Sequence, residues 1–190
     1  MKNVLILESS PRRKGNTAVL ADQAAQTMRD AGINVDLIHL HGMNIEPCNH
    51  CQGCKRQNKN CVIQDDMQFV YPKLVAADGL ILASPIYWFN MNGQLKTCID
   101  RWYGTFQNNP DLYKGKPLGL IIAYGGSDLY HSGGINALIT FETLTHYLEA
   151  LSMGCVHGTT NNVGDAEKDI ELMEKARQMG QRMADFLLKS

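Results

Sequence analysis

Two short stretches gather side chains that could do chemistry. The first is Ser9-Ser10-Pro11-Arg12-Arg13-Lys14-Gly15-Asn16-Thr17, which follows the apolar run Val4-Leu5-Ile6-Leu7. Hydroxyl and amide donors beside an arginine suit an oxyanion. A helix starting behind such a turn adds unpaired N–H groups and the positive end of its dipole. The loop lacks the Gly-Lys-Ser/Thr ending that holds magnesium in nucleotide loops, and it lacks the three glycines of dinucleotide folds. A hydroxyl-rich turn with one nearby arginine therefore suits the terminal phosphate of a mononucleotide. The competing reading is an ordinary strand-to-helix turn whose serines cap the helix.

The second stretch holds Cys48, Cys51, Cys54 and Cys61, a C-x2-C-x2-C-x6-C set. Four thiolates in one irregular loop can wrap a cubane iron-sulfur cluster. Structural zinc more often uses two separated pairs, and free or redox-active thiols are the third reading. His50 lies inside the motif and reads as a polar loop residue. Cys98 and Cys155 fall in element patterns and read as small buried apolar residues. The other histidines, His39, His41, His131, His146 and His157, share no ligand spacing, and His131 is placed at the pocket mouth.

The elements that must position these groups alternate along the chain. Val4–Leu7, Gly79–Ser84 and Pro117–Ala123 are apolar on both faces, as strands of a covered parallel sheet are. Asn34–Leu40 and Met153–His157 supply two further strands. Helices are predicted over Ala18–Ala31, Asp65–Ala77, Asn92 or Gly93 to about Tyr103, Ile135–Leu151 and Glu167–Leu188. Leu20, Ala24, Met28 and Ala31 form one apolar stripe, and Leu172, Ala176, Met179, Met183 and Phe186 form another. Asp65-Asp66 suits the first turn of its helix. This β-α alternation predicts an α/β three-layer sandwich with a five-stranded parallel sheet, order 2-1-3-4-5. The prediction is a single domain over 1–190, with residues 41–62 as a cysteine-rich insertion.

Composition agrees with one packed core: 44% of the 190 residues are hydrophobic and 19% charged. A formal net charge of −1 removes the electrostatic case for nucleic acid or an anionic membrane as main partner. No apolar run approaches the roughly 20 residues of a membrane span, and the N-terminus enters a strand without signal-peptide architecture. The expected location is the cytoplasm.

In such a sheet, ligands sit beyond the carboxyl ends of the strands where the strand order reverses. Loops Ser9–Thr17, Pro85–Asn90 and Tyr124–Ser127 should therefore converge. Pro85-Ile86-Tyr87-Trp88-Phe89 offers aromatics to wall a planar ring, and Gly125-Gly126 offers amides that permit close approach. A phosphate cradle, an aromatic wall and an amide loop describe a flavin site, with FMN the leading candidate. The aromatics could equally close the sheet edge or form a subunit interface.

These residues resemble the flavodoxin-like NAD(P)H-dependent FMN reductases, and most closely their iron-sulfur flavoprotein branch. The resemblance spans nearly the whole chain. It is carried by Ser9-Ser10-Pro11-Arg12 with Gly15-Asn16-Thr17, by Ser84-Pro85-Ile86-Tyr87-Trp88 through Met91-Asn92-Gly93-Gln94-Leu95-Lys96 to Asp100-Arg101, and by the clustered cysteines followed by Asp65-Asp66-Met67. It implies FMN with its phosphate on Ser9, Ser10, Arg12, Gly15, Asn16 and Thr17. The ring would lie along Pro85, Ile86, Tyr87 and Trp88, near Gly125 and Gly126. It also implies a 4Fe-4S cluster on Cys48, Cys51, Cys54 and Cys61, NAD(P)H as donor, and a homodimer or homotetramer. The electron acceptor would be a flavin, a quinone or an iron-sulfur protein. A non-enzymatic flavin/iron-sulfur carrier serving a ferredoxin-like partner is the alternative. Hydride transfer to a flavin asks for no acid-base dyad, so no catalytic side chain is expected. Asp100 and Arg101 are expected as a helix-surface or interface ion pair.

Overall fold

The computed structural model describes residues 1–57 and 61–189. Residues 58–60 of the cysteine-rich insertion, and Ser190, lie outside the described residues. The apolar runs become strands: β1 (Asn3–Glu8), β2 (Asn34–His39), β3 (Gly79–Tyr87), β4 (Asn90–Met91), β5 (Pro117–Tyr124) and β6 (Leu151–Thr159). Between and after them run α1 (Asn16–Asp30), α2 (Gly53–Gln57), α3 (Met67–Ala76), α4 (Gly93–Arg101), α5 (Tyr103–Asn108), α6 (Gly134–Tyr147), α7 (Asp165–Lys168) and α8 (Ile170–Lys189).

The sheet order is β2-β1-β3-β5-β6, with every pair along that path parallel. This is the expected order of five parallel strands. The numbering differs because the two-residue β4 folds back antiparallel on β3. Side-chain alternation splits the core into two layers. Leu5, Leu7, Leu80, Leu82, Leu120 and Ile122 pack with Tyr71, Leu95 and Phe141 of α3, α4 and α6. Val4, Ile6, Ile81 and Ile121 pack on the opposite face with Leu20 and Ala24 of α1 and Met179 and Met183 of α8. Both faces are covered, which explains why these strands show no polar alternation.

Several boundaries differ from the sequence expectation. The helix expected to run from Asn92 or Gly93 to Tyr103 divides into α4 and α5 at Trp102, and α6 stops at Tyr147. Glu149 then adopts φ 52° and the chain turns into β6 at Leu151. The final helix begins only at Ile170, because Asp169 is extended and breaks α7 from α8.

The environment of Arg101 is a larger correction. Its side chain is wholly buried rather than placed on a helix surface. Its guanidinium forks onto Asp65, with Nη1 to Oδ2 at 2.5 Å and Nη2 to Oδ1 at 3.1 Å. Nη1 also donates to the Glu46 carbonyl at 2.6 Å. A carboxylate partner and a carbonyl make this burial tolerable, since an isolated buried charge would be costly. Asp100 does lie on the surface, paired with Lys96 at 2.5 Å.

Candidate functional site

The carboxyl ends of β1, β3 and β5 open onto one cleft of about 120 Å³. Its first wall is the loop into α1. Gly15 N–H donates to the Arg12 carbonyl at 2.8 Å, and Arg12 N–H donates to Ser10 Oγ at 3.1 Å. A Cβ on Gly15 would stand 2.8 Å from Ser10 Oγ and 2.9 Å from the Arg12 carbonyl, so only glycine closes the loop this tightly. Among the described residues no side chain caps the start of α1, where Gly15 is the N-cap. Its first N–H groups therefore remain available beside the cleft, which Ser10, Arg12, Gly15, Asn16 and Thr17 all line.

Behind this loop sits Glu8, fully buried at the end of β1. Its Oε1 accepts from Ser10 N–H at 2.8 Å and from the Thr17 hydroxyl at 3.2 Å, and its Oε2 pairs with His39 Nδ1 at 2.8 Å. Burial raises the Glu8 pKa, and the His39, Ser10 and Thr17 hydrogen bonds only partly offset it. The Asn16 side chain faces away from the loop. It donates to the Asn162 carbonyl at 2.9 Å and accepts from Ala166 N–H at 3.1 Å, tying the loop to the connection into α7. Ser9 lies behind the cleft and does not line it. Its hydroxyl and N–H both reach the Ala83 carbonyl at 3.0 Å.

The second wall is the end of β3, where Pro85, Ile86 and Tyr87 line the cleft. Asn92 fixes this wall to the first. Its N–H donates to Ser84 Oγ at 3.0 Å, its Nδ2 donates to the Ser9 carbonyl at 2.6 Å, and its Oδ1 caps α4 at Leu95 N–H. Trp88 and Phe89 form the two-residue turn between β3 and β4, with φ 46° and 72°. Trp88 projects into solvent at 92% exposure and does not line the cleft.

Ala123, Tyr124 and Gly125 of β5 and its following turn form the third wall, joined by Thr160 and Val163. Gly126 and His131 stand outside the lining residues. Tyr124 Oη bonds His157 Nδ1 at 2.9 Å, and burial raises the tyrosine's pKa while lowering the histidine's. Tyr124 belongs to a loop expected to converge here, whereas Ala123, Thr160 and Val163 at the cleft and Glu8 behind it were not expected from the sequence. A carboxylate ending an all-apolar strand was the signal for Glu8.

The cysteine loop stands apart from this cleft geometry. Cys48 and Cys51 are exposed, whereas Cys54 and Cys61 are half-buried. Among the described residues no group of three or more His, Cys, Asp or Glu side chains is arranged to hold a metal ion. The base of the loop is nevertheless fixed. Glu46 N–H donates to Asp65 Oδ2 at 2.8 Å and Asn44 N–H donates to Asp66 Oδ2 at 2.7 Å. Cys98 is buried in the core with its thiol pushed up to about 12, and the half-buried Cys155 is likewise pushed up to about 12, both chiefly by burial.

Fold and cleft define a flavodoxin-like α/β protein with a donor-lined cleft at the topological switch point. Residues 2–165 match the family model described as NADPH-dependent FMN reductase. The chain belongs to that family, and it is an oxidoreductase. It is 32% identical over 187 residues to an iron-sulfur flavoprotein of Archaeoglobus fulgidus, covering 97% of this chain and 80% of that one. Identity is 30% over 186 residues to an iron-sulfur flavoprotein of Methanosarcina thermophila, covering 95% and 93%. Among solved structures, the Trp repressor binding protein from Bacillus subtilis superposes with a TM-score of 0.70 at 28% identity, covering 94% of this chain and 99% of that one.

Proposed function

We propose that the protein holds FMN in this cleft, takes electrons from NAD(P)H and passes them to a flavin, quinone or iron-sulfur acceptor. The observation that carries this reading is the uncapped start of α1, set against Ser10, Arg12, Gly15 and Thr17 and facing the Pro85–Tyr87 wall. That donor set fits a phosphate monoester. In this reading Ser10, Arg12 and the backbone of Gly15, Asn16 and Thr17 bind the phosphate, with Ser9 supporting them from behind. Pro85, Ile86 and Tyr87 flank the ring, Trp88 guards its outer side, and Gly125 and Gly126 supply amides. FMN would supply the hydride-accepting chemistry. The described residues lining the cleft include no carboxylate, histidine or cysteine, in keeping with a reaction that needs orientation and desolvation rather than an acid-base pair.

We assign a 4Fe-4S cluster to Cys48, Cys51, Cys54 and Cys61. Support comes from the four-thiol donor set and from the anchored loop base, and two of the relatives are named iron-sulfur flavoproteins. The cluster would supply one-electron transfer. Tyr87, Trp88 and Phe89 stand 48%, 92% and 50% exposed, and exposed aromatics of this kind support a homodimer or homotetramer. Residues 1–190 act in this reading as one flavin-binding domain carrying the 41–62 insertion. No described helix is long and apolar enough to cross a membrane, and a cytoplasmic location is part of the proposal. Exposure of Cys48 and Cys51 favours a second reading, a carrier that serves a ferredoxin-like partner.

Anaerobic purification followed by a visible spectrum and iron, sulfide and zinc analysis tests these assignments. Flavin bands with matching iron and sulfide are expected. Zinc in place of iron, or metal-free thiols, would refute the cluster. A protein that takes up no added FMN would refute the whole reading.

A further inference from the structure

The Glu8–His39 pair is not used by the flavin chemistry, yet it sits under the anion cradle. Glu8 is inaccessible, while the His39 side chain is 23% exposed and connects the pair to solvent. Two of the residues that line the cleft are held from behind by this carboxylate: Ser10 through its N–H and Thr17 through its hydroxyl. Glu8 is thus an internal anion that already occupies donors suited to an incoming one. From β2, His39 is the ionisable group that faces it; α1 presents only the Thr17 hydroxyl, and β3 presents Ala83 in register. Arg12 is the loop cation that lines the cleft, and Arg13 and Lys14 are exposed in the same loop outside the lining.

We propose that the Glu8–His39 pair takes up one proton when the phosphate of FMN enters the cradle, so that cofactor affinity falls as pH rises above neutrality. The inference rests on the reading of this cleft as the FMN site. With phosphate bound, the Thr17 hydroxyl turns from Glu8 to the phosphate. A proton from solvent binds His39 Nε2 while the Nδ1 proton passes to Glu8 Oε2: the Nδ1–H bond breaks, an O–H bond forms, and Oε2 then donates to Nδ1. The pair passes from net charge −1 to neutral, and two anions are not left facing each other across the loop. The raised pKa of Glu8 agrees with this direction. Glu8 is a positioning residue here and touches no reacting atom.

The test is to titrate the flavin-free protein with FMN and with riboflavin from about pH 7 to about pH 9, above the second phosphate ionisation near pH 6. FMN binding is also followed by calorimetry in two buffers of different ionisation enthalpy. The expected FMN Kd rises toward about tenfold per pH unit, the slope for one linked proton, with about one proton taken up per FMN bound. Riboflavin affinity stays flat with pH in both the wild type and Glu8→Gln, and Glu8→Gln abolishes the FMN slope. A flat FMN profile without proton uptake in the wild-type protein overturns the inference, as does an equal slope for riboflavin or a slope that survives Glu8→Gln. If FMN binds no tighter than riboflavin at any pH, the phosphate assignment itself fails, and the two failures are told apart.

Discussion

Arg101 and Glu8 are both ionisable and both buried, but their surroundings treat ionisation in opposite ways. Burial alone would raise the Asp65 pKa; the Arg101 hydrogen bonds and charge outweigh it and hold the carboxyl below its usual range. Its contribution to stability is therefore present above the unfolded-state pKa of about 3.9 and lost as pH falls through the lower folded value. Removing one partner, as in Asp65→Asn, should cost about 3–5 kcal/mol in urea unfolding at neutral pH. For Glu8 the sign reverses. Its raised pKa means stability present below the unfolded value of about 4.3 and lost as pH rises through the folded one. Glu8→Gln should consequently melt higher than the wild type at neutral pH. In the cradle, Ser10→Ala with Thr17→Val should weaken FMN binding by about 1–3 kcal/mol per donor lost while sparing riboflavin. Residue types announced the donors of this loop. They could not announce that the Asn16 side chain would be spent on Asn162 and Ala166, because those partners lie about 150 residues away.

At the scale of elements, the β3–β4 hairpin is the least regular part of the cleft. Its two-residue turn has positive φ at both positions, a geometry that favours Asn-Gly, yet it is built from Trp88 and Phe89. The strain is held by α6: Asn136 Nδ2 donates to the Phe89 carbonyl at 2.9 Å, and Gly133 lets the Phe89 backbone approach. A Cβ on Gly133 would collide with Phe89 Cα and Cβ, at a φ of +74°. Gly133→Ala should thus displace the hairpin and destabilise the fold by about 1–3 kcal/mol, read as a lower Tm. Trp88 fluorescence should also respond. This hairpin was illegible in the sequence because the turn residues are the wrong ones and β4 has only two residues. The long apolar strands were legible because burial on both faces leaves no polar alternation to confuse them. The helix ends at Tyr147 and Ile170 were not, since apolar spacing continues across both breaks.

For the whole molecule, strand order follows from the β-α alternation, and strand order places the cleft. Three loops distant in sequence meet at the ends of β1, β3 and β5 for that reason, as the sequence implied. The cysteine loop has no such periodicity. Its spacing names a donor set but does not dictate how the sulfurs come together; the described structure ties the loop down at Asp65 and at Gln68, whose Nε2 donates to the Cys61 carbonyl at 3.0 Å. The central claim is that FMN bound in the cleft accepts electrons from a nicotinamide donor. The most direct measurement is anaerobic addition of NADPH, and separately NADH, to the FMN-loaded protein while the flavin absorbance is followed. Rapid bleaching is expected with at least one donor, with recovery when a quinone or free flavin is added. Bound FMN that neither nucleotide reduces would contradict it.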